Sequence, residues 1–283
     1  MQTQLLGKLD LDHERLLADL EHSLDFNYSE PYMEFNFGRP WKSVMLWAPG
    51  GDVGDDIIAH YDITRPSGIT AHGERLPYVR EIIEKNFAVE NVTFGRLAVV
   101  TDMVMVPHRD YVELSDSAAR QRAAHRLHVS LATSDDCLFS DENLVYQMRA
   151  GEVWFLDVSK LHGAGVLSTM RRVHLILDLA DVEPDEVLRF PATPSHGIPQ
   201  SAIRNRPAMT DEEREAILDL SAVVDLDNLS EVFALVVKKD FRKDGGASFV
   251  WTTMKEIARR SKDEAVITKI ADWYKHCVLE REE

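Results

Sequence analysis

The chain has 283 residues, of which 45% are hydrophobic and 28% are charged, as expected of a folded globular protein rather than a disordered one. Its formal net charge is −16, which disfavours nonspecific binding to nucleic acid or to anionic membranes. No run approaches the roughly 18 apolar residues of a membrane span, and the N-terminus lacks the apolar core of a secretory signal. Cys137 and Cys277 have no C-x-x-C spacing, so a reducing cytoplasm is the expected location.

The N-terminal part is predicted to mix helices with a strand. Leucines recur at near-helical spacing within residues 10–24, which predicts an amphipathic helix. The segment "RPWKSVMLWAPGGDVGDD" is typical of a strand closed by a Pro/Gly loop, and "LPYVREIIEKNF" is typical of a second helix.

From about residue 91 to residue 182 the pattern changes to short β-rich runs divided by turns. These runs are "VTFGRLAVVTDMVMV", "HRLHVSLAT", "LVYQMRAGEVWFLDV" and "RRVHLILDLADV". Closely spaced strands without intervening helices favour an antiparallel sandwich or barrel over alternating βαβ units.

The C-terminal third is predicted to be helical. The prolines of "FPATPSHGIP" mark a linker, and Thr210 and Glu213 form a capping box ahead of an apolar helix. Further amphipathic segments follow, among them "AVITKIADWYKHCVL", whose Trp/Tyr stripe is expected in the core. We therefore predict a β domain with N-terminal helices over residues 1–190 and a helical domain packed against it over residues 195–283.

A candidate metal site begins where an apolar strand ends in "VPHRDYVEL". His108 and Asp110 are two residues apart, so in an extended chain both side chains project from the same face. An H-x-D pair alone is more often a pair of solvated polar residues, so the motif needs a partner. His162 is a suitable partner, because it follows the strand "EVWFLDV" and precedes Gly163 and Gly165, which leave backbone room beside a ligand.

Two histidines and a carboxylate on one face of an octahedral ion form the facial triad of non-haem Fe(II) oxygenases, which leaves positions open for a cosubstrate and oxygen. Zinc accepts the same ligands. Arg172 favours the oxygenase, because a cation directed into a β pocket needs an anionic partner, such as a dicarboxylate cosubstrate. In "HRLHVSL", Arg126 and His128 share one strand face, which lies toward either a cavity or solvent.

Four motifs in order, "VPHRDYVEL", "RLHVSL", "MRAGEVWFLDVSKLHGAG" and "RRVHLILDL", resemble those of the bacterial free-proline hydroxylases. That group is part of the aspartyl/asparaginyl β-hydroxylase-like family of 2-oxoglutarate oxygenases, and the resemblance covers most of the chain. It implies an α+β fold with a double-stranded β-helix core of the jelly-roll, cupin-like type. It also implies that three residues hold Fe(II), namely His108, Asp110 and His162. Arg172 is then expected to bind the distal carboxylate of 2-oxoglutarate, with Arg126 and His128 as further cosubstrate contacts.

The resemblance implies an enzyme that hydroxylates a free L-amino acid, consumes O2 and 2-oxoglutarate and releases succinate and CO2, with ascorbate as an expected stimulant. Two features depart from the proline hydroxylases, a longer segment "SDSAARQRAAH" and Gly163 in place of their usual serine. Both are expected near the substrate pocket, so another free amino acid is credible beside proline. The leading substrates are therefore proline and lysine. No nucleic-acid or membrane partner is expected, and the oligomeric state is left open.

A free amino acid also brings a carboxylate that needs a cation once it is desolvated. The candidates are Arg109, Arg122 and, if it does not contact the cosubstrate, Arg126; the segment around Arg122 is expected to act as a lid. Alternation directs Arg109 away from the metal motif. Two other functions stay open. A zinc hydrolase would use the same three ligands to activate water but leaves Arg172 unexplained, and a noncatalytic β-barrel binding module has no need of a complete triad.

Overall fold

The structure, a computed structural model, describes residues 2–110, 124–180 and 182–279. Over these residues the chain forms two antiparallel sheets, with most of its helices toward the two ends of the sequence. Within the described ranges, no helix is long and apolar enough to cross a lipid bilayer.

Twelve strands of the described residues are divided between the two sheets. They are β1 (Gln4–Lys8), β2 (Asn36–Gly38), β3 (Lys42–Pro49), β4 (Ser67–Ile69), β5 (Val92–Val100), β6 (Met103–Met105), β7 (Ala124–Ala132), β8 (Cys137–Asp141), β9 (Leu144–Tyr146), β10 (Glu152–Leu156), β11 (His162–Val166) and β12 (Arg172–Ala180). The large sheet has the order β1-β10-β7-β12-β5-β3-β4, and the small sheet has the order β2-β6-β11-β8-β9. From β7 onward the chain passes back and forth between them, which is the connectivity of a double-stranded β-helix. The predicted fold class is confirmed.

The helices are α1 (His13–His22), α2 (Ala71–Glu74), α3 (Pro77–Asn86), α4 (Asp211–Leu218), α5 (Leu229–Arg242), α6 (Phe249–Ser261) and α7 (Glu264–Tyr274), followed by a π-helical turn over Lys275–Leu279. The capping box predicted for α4 is confirmed. Glu213 N donates to Thr210 Oγ1 at 3.2 Å, and Thr210 N donates to the Glu213 carboxylate at 3.1 Å.

The two faces of the large sheet differ, because side chains alternate along each strand. One face packs against the N-terminal helices through a buried apolar cluster that includes Leu127 and Val129 of β7 and Ile83 of α3. The opposite face carries Arg126 and His128, which line a cavity between the two sheets. The polar face predicted for "HRLHVSL" therefore lies toward a cavity rather than toward solvent.

The helical C-terminal region packs against the small sheet. Phe37, Val104 and Leu138 of that sheet share one buried apolar cluster with Phe233 of α5 and Trp251 of α6. This packing agrees with the expectation that the C-terminal helices cover the β core, and the exact division at residues 190 and 195 stays a prediction.

Two hydrogen bonds tie the C-terminal region to the chain on either side of His108. Trp251 Nε1 donates to Pro107 O at 2.8 Å, and Arg109 N donates to Cys277 O at 2.9 Å. The C-terminal helices therefore fix the backbone that carries the first candidate metal ligand.

The N-terminal strand β1 was not predicted from the sequence. It pairs with β10, about 150 residues later in the chain, so its hydrogen-bonding partner leaves no local sequence signal. The predicted linker also contacts β1. Thr193 N donates to Leu6 O and Ser195 N donates to Leu5 O, both at 2.9 Å.

Candidate active site

His108, Asp110 and His162 converge in the cavity between the two sheets. The backbones of the two histidines pair with each other, with His108 N donating to His162 O at 2.8 Å and His162 N donating to His108 O at 2.9 Å. Their ring centroids lie 4.4 Å apart. One ligand atom from each of the three side chains lies within 4.8 Å of the others, a spacing that a single metal ion could bridge.

The hydrogen bonds of the two rings leave one nitrogen of each available to a metal. His108 Nδ1 donates to Val106 O at 2.7 Å, and His162 Nδ1 donates to Lys160 O at 3.0 Å. Because a carbonyl oxygen only accepts, Nδ1 of each ring carries a proton, and Nε2 is the nitrogen that remains to face a metal. Burial, with the neighbouring His108, lowers the pKa of His162 to about 4, so this ring is neutral near pH 7.

Asp110 is held ionised. Burial alone would raise the pKa of its carboxyl, but the charge of Arg126 and the neighbouring histidines outweigh burial and hold that pKa well below its ordinary value. His108 Nε2 lies 3.4 Å from Asp110 Oδ1. A cation bound between these two atoms would contact both of them.

Arg126 connects Asp110 to a buried chain of alternating charges. Its Nη1 donates to Asp110 Oδ2, and its Nε donates to Asp178 Oδ1 at 2.7 Å. The other carboxylate oxygen of Asp178 accepts from Arg96 Nη2, also at 2.7 Å. Each charge in the order Asp110, Arg126, Asp178, Arg96 therefore has a partner of opposite sign, which offsets the cost of burying them.

Arg172 lies in the same cavity without such a partner among the described residues. It is 5% exposed, its guanidinium stacks 4.6 Å above the Phe139 ring, and its Nη1 makes no hydrogen bond within the described residues. Burial lowers the pKa of Arg172 to about 10, so it remains charged near neutral pH. A buried, charged guanidinium with an unused donor fits the binding of an anion.

Most of the predicted site residues are brought together. Six line the cavity, namely His108, Asp110, Arg126, His128, His162 and Arg172. Arg109 does not: it is exposed and lines a separate cavity with Asp141 and Lys160, so the structure does not support it as a contact for the substrate carboxylate. The physical reason is alternation, which directs it away from its two neighbours. Arg122 and the segment expected to form a lid lie outside the described residues.

Three further polar residues line the cavity and were not predicted: Asn36, Arg96 and His174. Arg96 and His174 do leave a sequence signal, because each is a basic residue with apolar neighbours within a strand, Arg96 in "TFGRLAVV" and His174 in "VHLIL". Asn36 belongs to the short strand β2, whose position depends on pairing with β6. Aromatic and aliphatic side chains complete the wall, among them Tyr32, Trp41, Ile58 and Ile176.

Comparisons with known proteins give matches along nearly the whole chain. Residues 9–181 match the family model for aspartyl/asparaginyl beta-hydroxylase, and residues 184–283 match the model for the C-terminal part of L-proline 3-hydroxylase. L-proline cis-4-hydroxylase of Rhizobium meliloti (strain 1021) is 30% identical over 96% of this chain and 94% of its own length. L-proline cis-3-hydroxylase 2 of a Streptomyces species is 31% identical over 95% of this chain and 92% of its own length.

Among solved structures, an oxidoreductase of the 2OG-Fe(II) oxygenase family from Burkholderia pseudomallei is 11% identical and aligns over 62% of this chain and 82% of its own, with a TM-score of 0.38. The family assignment rests on the sequence matches, which agree with the motifs and their order. The chain belongs to the aspartyl/asparaginyl beta-hydroxylase family.

Proposed function

We propose that the protein is an Fe(II)- and 2-oxoglutarate-dependent hydroxylase of a free L-amino acid. One observation carries the proposal: the cavity that contains two histidines and an aspartate also contains Arg172, a buried cation with an unused donor. A zinc hydrolase would need the first feature but not the second, and a noncatalytic module would need neither. The similarity to L-proline hydroxylases favours the same reading.

The donor set fits a resident iron ion. His108 Nε2, His162 Nε2 and the Asp110 carboxylate would hold it, since the Nδ1 atom of each ring is engaged by a carbonyl and the carboxylate is ionised. When bound, iron and 2-oxoglutarate supply the chemistry, in which O2 oxidises 2-oxoglutarate to succinate and CO2 and places one oxygen atom in a substrate C–H bond. Stimulation by ascorbate is part of this proposal.

The chain itself would bind and orient the reactants. Arg172 would bind the distal carboxylate of 2-oxoglutarate, which supplies the anion that its guanidinium lacks. Arg126 would hold Asp110 in one orientation, because its guanidinium is itself fixed by Asp178. The apolar wall would exclude water from the substrate C–H bond.

Two unused polar atoms suit the two charged groups of an amino acid. Arg96 is 3% exposed, and its Nε has no hydrogen-bond partner within the described ranges. Asn36 Nδ2 donates to Tyr32 O at 2.8 Å, whereas Asn36 Oδ1 accepts nothing from the described residues. We propose that Arg96 Nε donates to the substrate carboxylate and that Asn36 Oδ1 accepts from its ammonium group.

The lining favours L-proline over L-lysine as the substrate. Asp110 is the acidic side chain that lines the cavity in the described part of the chain, and it is already paired with Arg126, which leaves no described acidic side chain for a lysine ammonium group. The change to Gly163 carries little weight against proline, because a Cβ there would lie 3.1 Å from Ser140 Oγ and 3.5 Å from Met105 O, among protein atoms. Lysine remains the second candidate.

The test is a screen of the twenty amino acids with Fe(II), 2-oxoglutarate and ascorbate, read by succinate release and by the mass gain of one oxygen. We expect L-proline to gain oxygen and to stimulate succinate formation. Oxygen gain by lysine alone would replace the substrate but keep the reaction class. The proposal would be overturned if the purified protein contained zinc and no amino acid stimulated succinate release.

A further inference from the structure

A second pair of histidines lies beside Arg172 on the cavity face of the large sheet. His128 of β7 and His174 of β12 are both buried, line the cavity and have their Nδ1 atoms 3.3 Å apart. His174 follows Arg172 by two residues in the same strand, so the two side chains project from the same face. The pair is thus next to the cation that would bind the cosubstrate.

Both rings of the pair are neutral near pH 7. Burial, together with the charges of Arg126 and Arg172, holds the pKa of His128 well below its ordinary value. Burial and the charge of Arg172 do the same for the pKa of His174. Each ring therefore carries one N–H group and one lone pair.

The contact between the rings forces them into opposite tautomers. A hydrogen bond between two Nδ1 atoms needs a proton on one of them and a lone pair on the other. The ring that accepts at Nδ1 must carry its own proton on Nε2, and only that ring can donate from Nε2 to a ligand. His128 and His174 cannot both be carboxylate donors while both are neutral.

The unsatisfied atoms identify the ring that donates. Three buried polar atoms in this part of the sheet have no partner within the described residues, namely Arg172 Nη1, His174 Nε2 and Ser130 Oγ. Ser130 lies directly opposite His174 in the pairing of β7 with β12. Buried polar groups are rarely left unsatisfied, so these atoms indicate a ligand, and the charge of Arg172 makes that ligand an anion.

We propose that His174 is a second binding residue for the carboxylate that Arg172 recognises, with His174 Nε2–H as the donor and His128 Nδ1–H donating to His174 Nδ1. The inference rests on the proposed function, in which that anion is the distal carboxylate of 2-oxoglutarate. His128 is then a positioning residue that fixes the tautomer of His174, in place of the direct cosubstrate contact expected from the family resemblance.

The experiment compares the binding of 2-oxoglutarate and 2-oxopentanoate to the full-length protein loaded with Fe(II) without oxygen, by calorimetry. The two oxoacids have the same chain length, but 2-oxopentanoate ends in a methyl group. In His174→Asn the amide reaches the position of Nδ1 but not that of Nε2. We expect this variant to bind 2-oxoglutarate about 10-fold more weakly and 2-oxopentanoate unchanged.

Two further variants keep the test specific. His174→Gln places an amide near the position of Nε2 and should retain more of the preference for 2-oxoglutarate than His174→Asn does. His72→Asn is the matched control, because His72 is a half-buried histidine of α2 that stacks on Phe26 away from the cavity. It should bind both oxoacids as the unmodified protein does.

Several outcomes would overturn the inference. These are unchanged binding in His174→Asn, equal weakening for both oxoacids, and loss of the preference in His128→Asn but not in His174→Asn. Failure of the unmodified protein to bind either oxoacid would instead reject the proposed function together with the inference. An independent readout is the ¹⁵N spectrum of histidine-labelled, Zn(II)-loaded protein with 2-oxoglutarate, where a proton on His174 Nδ1 would contradict the assigned tautomer.

Discussion

The two basic ends of the cavity are built differently, although both lie on one face of the large sheet. At one end, Arg126 and Arg96 share Asp178, and Arg126 also contacts Asp110, so the charges alternate in sign. At the other end, Arg172 has an aromatic ring beneath it and an unused donor. In the first arrangement each charge has a partner within the protein, and Arg126 can orient the candidate metal ligand Asp110. The second is incomplete and needs a ligand that brings negative charge.

The largest expected effect comes from removing a proposed metal ligand. His162→Ala should abolish the weak visible band that forms when Fe(II) and 2-oxoglutarate are added without oxygen, and should abolish hydroxylation, because two remaining ligands do not complete a facial triad. His60→Ala, at an exposed histidine that contacts Asp55, is the control and should leave both unchanged. A band of normal intensity in His162→Ala would remove His162 from the metal site.

At the end where every charge is paired, loss of the central carboxylate, Asp178, should lower the stability of the protein. Asp178→Asn leaves Arg96 and Arg126 without their shared counter-charge and should lower the free energy of unfolding by about 3–5 kcal/mol in chemical denaturation. Asp56→Asn is the comparison, since Asp56 is also buried but accepts its hydrogen bond from Ser43. Equal losses in the two variants would show that burial, rather than the alternation of charges, determines the effect.

At the other end, loss of Arg172 should leave the stability of the free protein unchanged or increase it. Arg172→Met removes a charge that has no carboxylate partner in the described part of the chain, so the melting temperature of the free protein should stay the same or rise. The affinity for 2-oxoglutarate should fall by about 10- to 100-fold, as expected for a lost charged hydrogen bond. Arg206→Met is the contrast, because the Arg206 side chain is also only 5% exposed but pairs with Asp240, and its loss should lower the melting temperature. A fall in melting temperature of similar size in Arg172→Met and Arg206→Met would contradict the difference between an unpaired and a paired arginine.

The smallest expected effect concerns the substrate. Asn36→Ala removes the unused acceptor Oδ1 and should raise KM for the amino acid by about 10-fold while leaving KM for 2-oxoglutarate unchanged. Asn86→Ala, whose amide donates to Ile82 O within α3, is the control and should change neither value. A rise in both KM values in Asn36→Ala would assign Asn36 to the structure of β2 rather than to the substrate.

The sequence predicts the parts of this molecule that leave a local or motif-level signal. Alternation in "HRLHVSL" indicates a polar strand face, and the spacing of Thr210 and Glu213 indicates a helix start, because both depend on neighbouring residues. The order of the four motifs identifies the family. The strand β1 leaves no such signal, since it is defined by its pairing with β10.

The candidate site divides in the same way. His108, Asp110 and His162 are recognisable from their motifs and the order of those motifs. Arg96 and His174 become site candidates only when the register of β5, β7 and β12 brings them to one cavity. Arg109 shows the converse, because proximity in sequence to two candidate metal ligands does not place its side chain in the same cavity.

The segment between the two predicted domains has a consequence for association between molecules. An outer strand with free backbone N–H and C=O groups is a template on which another chain can add a strand. On one side of the large sheet, Thr193 N and Ser195 N donate to two carbonyls of β1, those of Leu6 and Leu5, and the prolines at 191 and 194 have no N–H group to offer another strand. On the opposite side, β4 has only three residues. The segment "FPATPSHGIP" therefore disfavours the addition of a strand from a neighbouring molecule at the β1 edge of the sheet.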